Sequence, residues 1–157
     1  MKIGIIVYSQ TGNTYSVVEK VKEELTNKGH EVNINRLEPL NPNDVHPGAK
    51  NIKYKNLPEL EKYDGYIFAS PVQAFSLAAG MESYLNDIEK LNNKKTACVL
   101  TKGLPFNWTG GTRAMKQLKG LVEAKKGNVV ETGIIKWLSF NRNRKIKNIV
   151  NKMGQTF

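Results

Sequence analysis

Six residues near the amino terminus carry the clearest chemistry. Ser9-Gln10-Thr11-Gly12-Asn13-Thr14 places three hydroxyls and one glycine between an apolar run, Ile3-Gly4-Ile5-Ile6-Val7-Tyr8, and a segment with helical periodicity. A helix start presents unpaired N–H groups and a partial positive charge, so it favours an anion. Ser9, Thr11 and Thr14 add hydroxyl donors, and Gly12 lets the backbone turn tightly around the guest. The segment has no lysine. A nucleoside triphosphate loop needs G-x-x-x-x-G-K-[ST] and a dinucleotide turn needs G-x-G-x-x-G, and neither is present. The chemistry left is capture of one terminal phosphate by amides and alcohols.

The elements that must position this loop follow from periodicity. Ile3–Tyr8 is short and rich in β-branched residues, as suits a strand buried on both faces. Val17, Val18, Val21 and Leu25 then mark one face of a helix that stops near Gly29. Residues 31–37 alternate like an edge strand. Residues 38–56 hold three prolines and read as a long loop with one short helical turn, and residues 57–62 as a short helix. Tyr66–Ala69 is the next strand, closed by Ser70-Pro71, and a second loop runs to Gly80. A helix over residues 81–91 and a buried strand over 96–101 follow. A third loop, 102–111, leads to a helix from Thr112, taken as its N-cap, to about residue 125. Residues 129–137 form the last strand. Ile146, Ile149, Val150 and Met153 give the closing helix its apolar face. Strands alternating with helices predict a single-domain, doubly wound α/β fold with a five-stranded parallel sheet and helices on both faces. Ligands of such sheets bind beyond the carboxyl ends of the strands, which puts loops 9–14, 70–80 and 102–111 on one rim.

Residues 5–14, Ile-Ile-Val-Tyr-Ser-Gln-Thr-Gly-Asn-Thr, resemble the phosphate loop of the flavodoxins, which bind flavin mononucleotide (FMN). Residues 63–72, Tyr-Asp-Gly-Tyr-Ile-Phe-Ala-Ser-Pro-Val, are similar to that family's third strand and second flavin loop. Residues 101–108 fall where its other ring-contacting loop lies. The resemblance implies the flavodoxin strand order 2-1-3-4-5 and FMN as cofactor. Ser9, Gln10, Thr11, Gly12, Asn13 and Thr14 would hold the phosphate. Pro71, Val72, Gln73, Ala74 and Phe75 would face the polar edge of the ring. Thr101, Lys102, Gly103, Phe106, Trp108 and Gly110 would cover its other side. Trp108 is the first choice of stacking partner, then Phe106 and Phe75, because flavin rings are flat and apolar on their faces. Lys102 beside the ring would favour an anionic reduced flavin and raise its potential.

The charge departs from the acidic balance usual in flavodoxins. Formal net charge is +10, from 24 Lys+Arg against 14 Asp+Glu. Residues 1–78 are balanced, nine against nine, and residues 79–157 hold fifteen basic and five acidic groups. One electropositive face is expected, matched by a redox partner with an acidic docking surface. No nucleic-acid motif accompanies the charge. No apolar run approaches the roughly 20 residues of a membrane span, and residues 1–15 do not form a signal peptide, so the cytoplasm is the expected address.

Other candidates are weaker. The one cysteine, Cys98, sits in an apolar strand as a small buried hydrophobe. It excludes an internal disulfide and, with only His30 and His46, leaves no metal centre. Both histidines are expected at the surface. Trp137 is expected to be structural. No catalytic triad or carboxylate pair can be assembled. Three functions follow from the resemblance. The first is an electron carrier working through bound FMN. The second is a small NAD(P)H-dependent FMN oxidoreductase acting on a quinone or similar acceptor. The third is a cofactor-free docking module.

Overall fold

The computed structural model describes residues 1–104 and 110–157. Strand β1 (Lys2–Val7) is an interior strand, fully buried beyond Lys2, as its β-branched run requires. Helix α1 (Asn13–Asn27) buries Val17, Val18, Val21 and Leu25 on one stripe. It ends in a Schellman motif, with the Gly29 N–H on the Thr26 carbonyl at 2.9 Å and the His30 N–H on the Leu25 carbonyl at 3.1 Å. Strand β2 (Glu31–Arg36) follows at the sheet edge, half-covered as its alternation predicts.

The crossover from β2 to β3 (Gly65–Gln73) carries only two 3₁₀ turns, Pro42–Asp44 and Leu60–Lys62. The short helix expected over residues 57–62 is the second of these. Strand β4 (Ser76–Leu77) turns back antiparallel on β3, and helix α2 spans Ala79–Asp87. Strand β5 (Lys95–Lys102), helix α3 (Gly111–Ala124), strand β6 (Asn128–Lys136) and helix α4 (Arg142–Thr156) complete the fold.

The sheet runs β2-β1-β3-β5-β6, with β4 paired to β3 off this path. Without that hairpin strand this is the expected 2-1-3-4-5 order, and all four main pairings are parallel. One core, including Ile3, Val18, Val99 and Ile149, lies under α1 and α4. The other, including Phe68, Met81, Leu100 and Leu118, lies under α2 and α3.

Several boundaries differ from the sequence reading, among them helix α2, which covers Ala79–Asp87 rather than 81–91. Strand β3 does not stop at Ser70-Pro71 but runs to Gln73. Its pairing with β1 ends at Ala69, while Ser70 and Pro71 still pair with Leu100 and Thr101 of β5. Proline is tolerated there because β1 has already left the sheet on the other side. Thr112 is not the N-cap of α3. Gly110 takes that place with φ 95°, without a side-chain cap, and the helix starts at Gly111.

Candidate functional site

The loop after β1 is formed as its composition demands. Gly12 is the N-cap of α1 with φ 92°, in the left-handed region that a β-carbon disfavours. A β-carbon placed there would meet no atom within 4 Å, so the space over the turn is open. Ser9 is buried and its Oγ accepts the Tyr15 N–H at 3.3 Å. Thr14 is buried and its Oγ1 lies 2.7 Å from Thr101 Oγ1. In that pair one hydroxyl donates and the other keeps its own proton for a further acceptor. Gln10 and Thr11 are exposed, and Asn13 is half-buried. The first turn of α1 contains no acidic residue to compete with an anion.

The structure brings the second segment against the first. Pro71, Val72 and Gln73 lie in β3, and Ala74-Phe75 form a two-residue turn into β4, so the expected loop 71–76 is a tight hairpin. Both turn residues have positive φ, 46° and 61°, which is the geometry of a two-residue hairpin with the twist of its strands. Gln73 Nε2 donates to Gln10 Oε1, linking hairpin and loop. Gln73 Oε1 is buried without a hydrogen-bond partner. An orphaned acceptor of this kind calls for a donor from a bound group.

Of the third segment, Thr101 joins the site through Thr14. Lys102 is only 5% exposed. Its side chain turns toward α3, and its Nζ lies 3.3 Å from where a β-carbon on Gly111 would stand. Burial first, and then Lys136, lower its pKa from the usual lysine value. Gly103 is exposed and its carbonyl accepts the Leu138 N–H at 3.1 Å. Gly110 packs against the Phe75 backbone, 2.4 Å from a β-carbon position, so the hairpin tip rests on the start of α3. Phe75 is 53% exposed. Phe106 and Trp108 lie outside the described residues.

Sequence reasoning missed Arg36. Its Nη2 donates to the Ser9 carbonyl at 2.9 Å, and its guanidinium lies 5.2 Å from the centroid of the Tyr15 ring. Parallel pairing of β1 and β2 sets Arg36 opposite Val7, two residues before Ser9. The alternation of β2 was the available signal.

The remaining candidates fall largely as expected. Cys98 is fully buried, and burial pushes its thiol up to about 12. His46 is exposed, whereas His30 is half-buried with Nδ1 unpartnered, which corrects its surface assignment. Its ring sits beside the chain start, where burial lowers its pKa first and the amino terminus second. Trp137 is half-buried under the Arg142 guanidinium, 4.6 Å from its ring centroid. Among the described residues no group of His, Cys, Asp and Glu could hold a metal ion, and no helix is long and apolar enough to cross a membrane.

A loop of hydroxyls and free amides, open over Gly12 and flanked by an orphaned amide oxygen, fits a phosphate carrying a polar ring. The family model of NADPH-dependent FMN reductase matches residues 1–137. The chain belongs to this family. Membership supports FMN as the cofactor, and the donor set of the loop fits it. No curated protein sequence matches.

Among solved structures, the fold of this reductase-family chain is similar to a flavodoxin of Streptococcus pneumonia TIGR4, at TM-score 0.71 and 16% identity, covering 99% of this chain and 97% of that one. Oxidised Flavodoxin 2 from Bacillus cereus aligns over 100% of both chains at TM-score 0.69 and 19% identity. A flavoprotein in complex with FMN from Lactobacillus acidophilus NCFM aligns at TM-score 0.66 and 16% identity, over 94% of this chain and 97% of that one. At these identities the likeness establishes the flavodoxin-like fold.

Proposed function

We propose that the protein is an FMN-dependent oxidoreductase that takes electrons from a reduced nicotinamide nucleotide and passes them to an acceptor. The observation that carries the flavin part is the Ser9–Thr14 loop, with Gly12 left-handed under open space at the head of α1. Family membership supports the nucleotide as donor. The flavin, when bound, supplies the redox chemistry itself. The chain binds and orients. Amides of the first turn of α1, with the hydroxyls of Ser9, Thr11 and Thr14, hold the phosphate. Arg36 fixes the Ser9 carbonyl from outside. Gln73 offers its free amide oxygen to a ring donor. Gly103 and Gly110 stand on the opposite rim. No side chain is required as general acid or base.

The test is a visible spectrum of the purified protein followed by addition of NADPH and a quinone. A yellow protein with steady NADPH oxidation supports the reading. A colourless protein that fails to quench added FMN fluorescence refutes it, and leaves the cofactor-free docking module.

An electron carrier is the second reading, and was the first from sequence alone. It is favoured by the end-to-end fit to flavodoxins and by the two-residue turn at Ala74-Phe75, which keeps the β3–β4 connection short. A yellow protein that is silent with NADPH, yet reduced by a partner protein, selects it. In either case the basic half suits an acidic docking surface on a partner, and the cytoplasm suits a chain with one buried thiol.

A further inference from the structure

Parallel strands are ordinarily joined by an α-helix, and the β2–β3 crossover has only its two 3₁₀ turns. In place of a helix, irregular chain runs beside α2 and leaves a cavity of about 840 Å³ between them. Its inner wall is apolar and aromatic, formed by Ile52, Tyr54, Leu60, Tyr66, Tyr84 and Ile88, all buried or half-buried. The walls are pinned to one another. The Ile52 N–H donates to Ser83 Oγ at 3.0 Å, Tyr54 Oη donates to the Gly80 carbonyl, and Tyr66 Oη donates to the Leu60 carbonyl at 2.7 Å. The cavity is therefore preformed, and its size falls within the roughly 300–1,000 Å³ of small-molecule sites.

Tyr54 and Tyr66 give their hydroxyl protons to backbone carbonyls, and Tyr84 does not. Tyr84 is only 3% exposed, and its ring meets that of Tyr54 edge-on, with centroids 6.1 Å apart. Its hydroxyl is buried and has no hydrogen-bond partner among the described residues. Burial first, then Tyr66, Tyr54 and Tyr63, raise its pKa, so it stays a neutral O–H donor. Buried hydroxyls are ordinarily bonded, and one left over on a cavity wall calls for an acceptor from a guest. Charge around the cavity is balanced. Glu59, Glu61, Asp87 and Glu89 line it together with Lys53 and Lys90, all exposed. Beside them, Lys62 pairs with Glu59 at 2.7 Å, and Lys94 lies over the Tyr66 ring, 5.7 Å from its centroid. In a chain of net charge +10, this opening favours neither an anion nor a cation.

We propose that this cavity binds a small neutral aromatic molecule whose carbonyl-type oxygen accepts a hydrogen bond from the Tyr84 hydroxyl. The site is separate from the flavin loops. Tyr66 is the second residue of β3, whereas Pro71–Gln73, which meet the Ser9–Thr14 loop, lie at the other end of that strand. A flat guest gains from edge and face contacts with Tyr54, Tyr66 and Tyr84, and its oxygen meets the one hydroxyl of the three with a proton to give. Apolar burial supplies the affinity, and the hydroxyl sets the orientation.

The test is amide ¹⁵N–¹H spectroscopy of the purified protein, titrated separately with acetophenone, ethylbenzene, benzoate and benzylamine. Acetophenone is expected to give saturable shifts at Ile52, Tyr84, Ile88 and Asn92, and none at Gly12 or Asn13. Tyr84→Phe keeps the ring and removes only the unpartnered hydroxyl, so it should fold with no loss of unfolding stability. In that variant the affinity for acetophenone relative to ethylbenzene should fall about fivefold, the worth of one hydrogen bond. Ile88→Trp narrows the cavity and should abolish saturable binding of both. Absence of saturable shifts at the cavity, or an unchanged affinity ratio in Tyr84→Phe, overturns the proposal. So does binding of benzoate or benzylamine tighter than that of the ketone, or binding retained in Ile88→Trp. A clear loss of stability in Tyr84→Phe would show that the hydroxyl already has a partner in the folded chain, and would overturn it too.

Discussion

Thr14 and Thr101 meet hydroxyl to hydroxyl at 2.7 Å, across 87 residues of sequence, in the buried space between α1 and β5. The contact ties the first turn of the helix that follows loop 9–14 to the strand that carries the third loop. Neither hydroxyl has access to bulk water, since Thr14 is 1% and Thr101 3% exposed. Removing one leaves the other as a buried polar group without its partner, which costs about 1–3 kcal/mol. Thr14→Val and Thr101→Val are each expected to lower unfolding stability by that order. The double variant should cost less than the sum, because no orphan remains. FMN affinity should fall further in Thr14→Val, whose hydroxyl lies in the loop. Urea unfolding and fluorescence titration with FMN measure both. Strict additivity would mean that the pair does not interact.

The two helix-opening glycines separate backbone strain from steric overlap. Gly12 and Gly110 have nearly equal φ, 92° and 95°. A left-handed L-residue costs about 1–2 kcal/mol, so Gly12→Ala, with open space around it, should lose roughly that amount. Gly110→Ala pays the same strain and also drives a methyl into the Phe75 backbone. Its loss of stability should clearly exceed that of Gly12→Ala. Conversely, Gly12→Ala should weaken FMN binding more, because its methyl fills the cradle. If the two variants prove equally stable, the hairpin does not rest on α3.

The contrast between these elements shows what a sequence makes legible. Strands β1 and β5 were readable because burial on both faces demands an unbroken apolar run. Helix α1 was readable from one stripe and a glycine stop. Strand β4 was not, since it is two residues long and its turn, Ala74-Phe75, lacks the Asn-Gly signature usual for that geometry. The start of α3 slipped because Thr112 resembles a cap, whereas backbone packing against Phe75 selects Gly110. At the site, loop 9–14 was legible because its residues act locally. The Thr14–Thr101 and Arg36–Ser9 contacts were not, because they depend on which strands become neighbours.

Cys98 supplies a check on the core. Its side chain is fully buried between the sheet and α3, and desolvation raises the thiol to about 12. Thiolate is the reactive form, so the folded protein should not react with an aromatic disulfide reagent at neutral pH. Reaction should appear only with denaturant, along the same curve as loss of secondary structure. Rapid labelling of the native protein would show that this part of the sheet opens locally.

Lys102 gives a pH dependence with a definite sign. Burial, and secondly Lys136, lower its pKa from 10.5 in the folded chain. Between the lowered value and 10.5 the unfolded chain binds more protons than the folded one, so this group makes stability rise with pH through that window. Below the window its ammonium form is present in both states and the penalty is complete. Lys102→Met, which keeps the apolar stem and removes the charge, should therefore be more stable than the parent at neutral pH. The advantage should shrink as pH approaches 10.5, where the parent's lysine loses its proton. Thermal unfolding across that range measures it, and a gap that widens with pH would contradict the assignment. The same variant reports on the flavin. A cation near the ring favours the anionic reduced form, so its removal should lower the midpoint potential of bound FMN. An unchanged midpoint would exclude Lys102 from tuning the electron transfer.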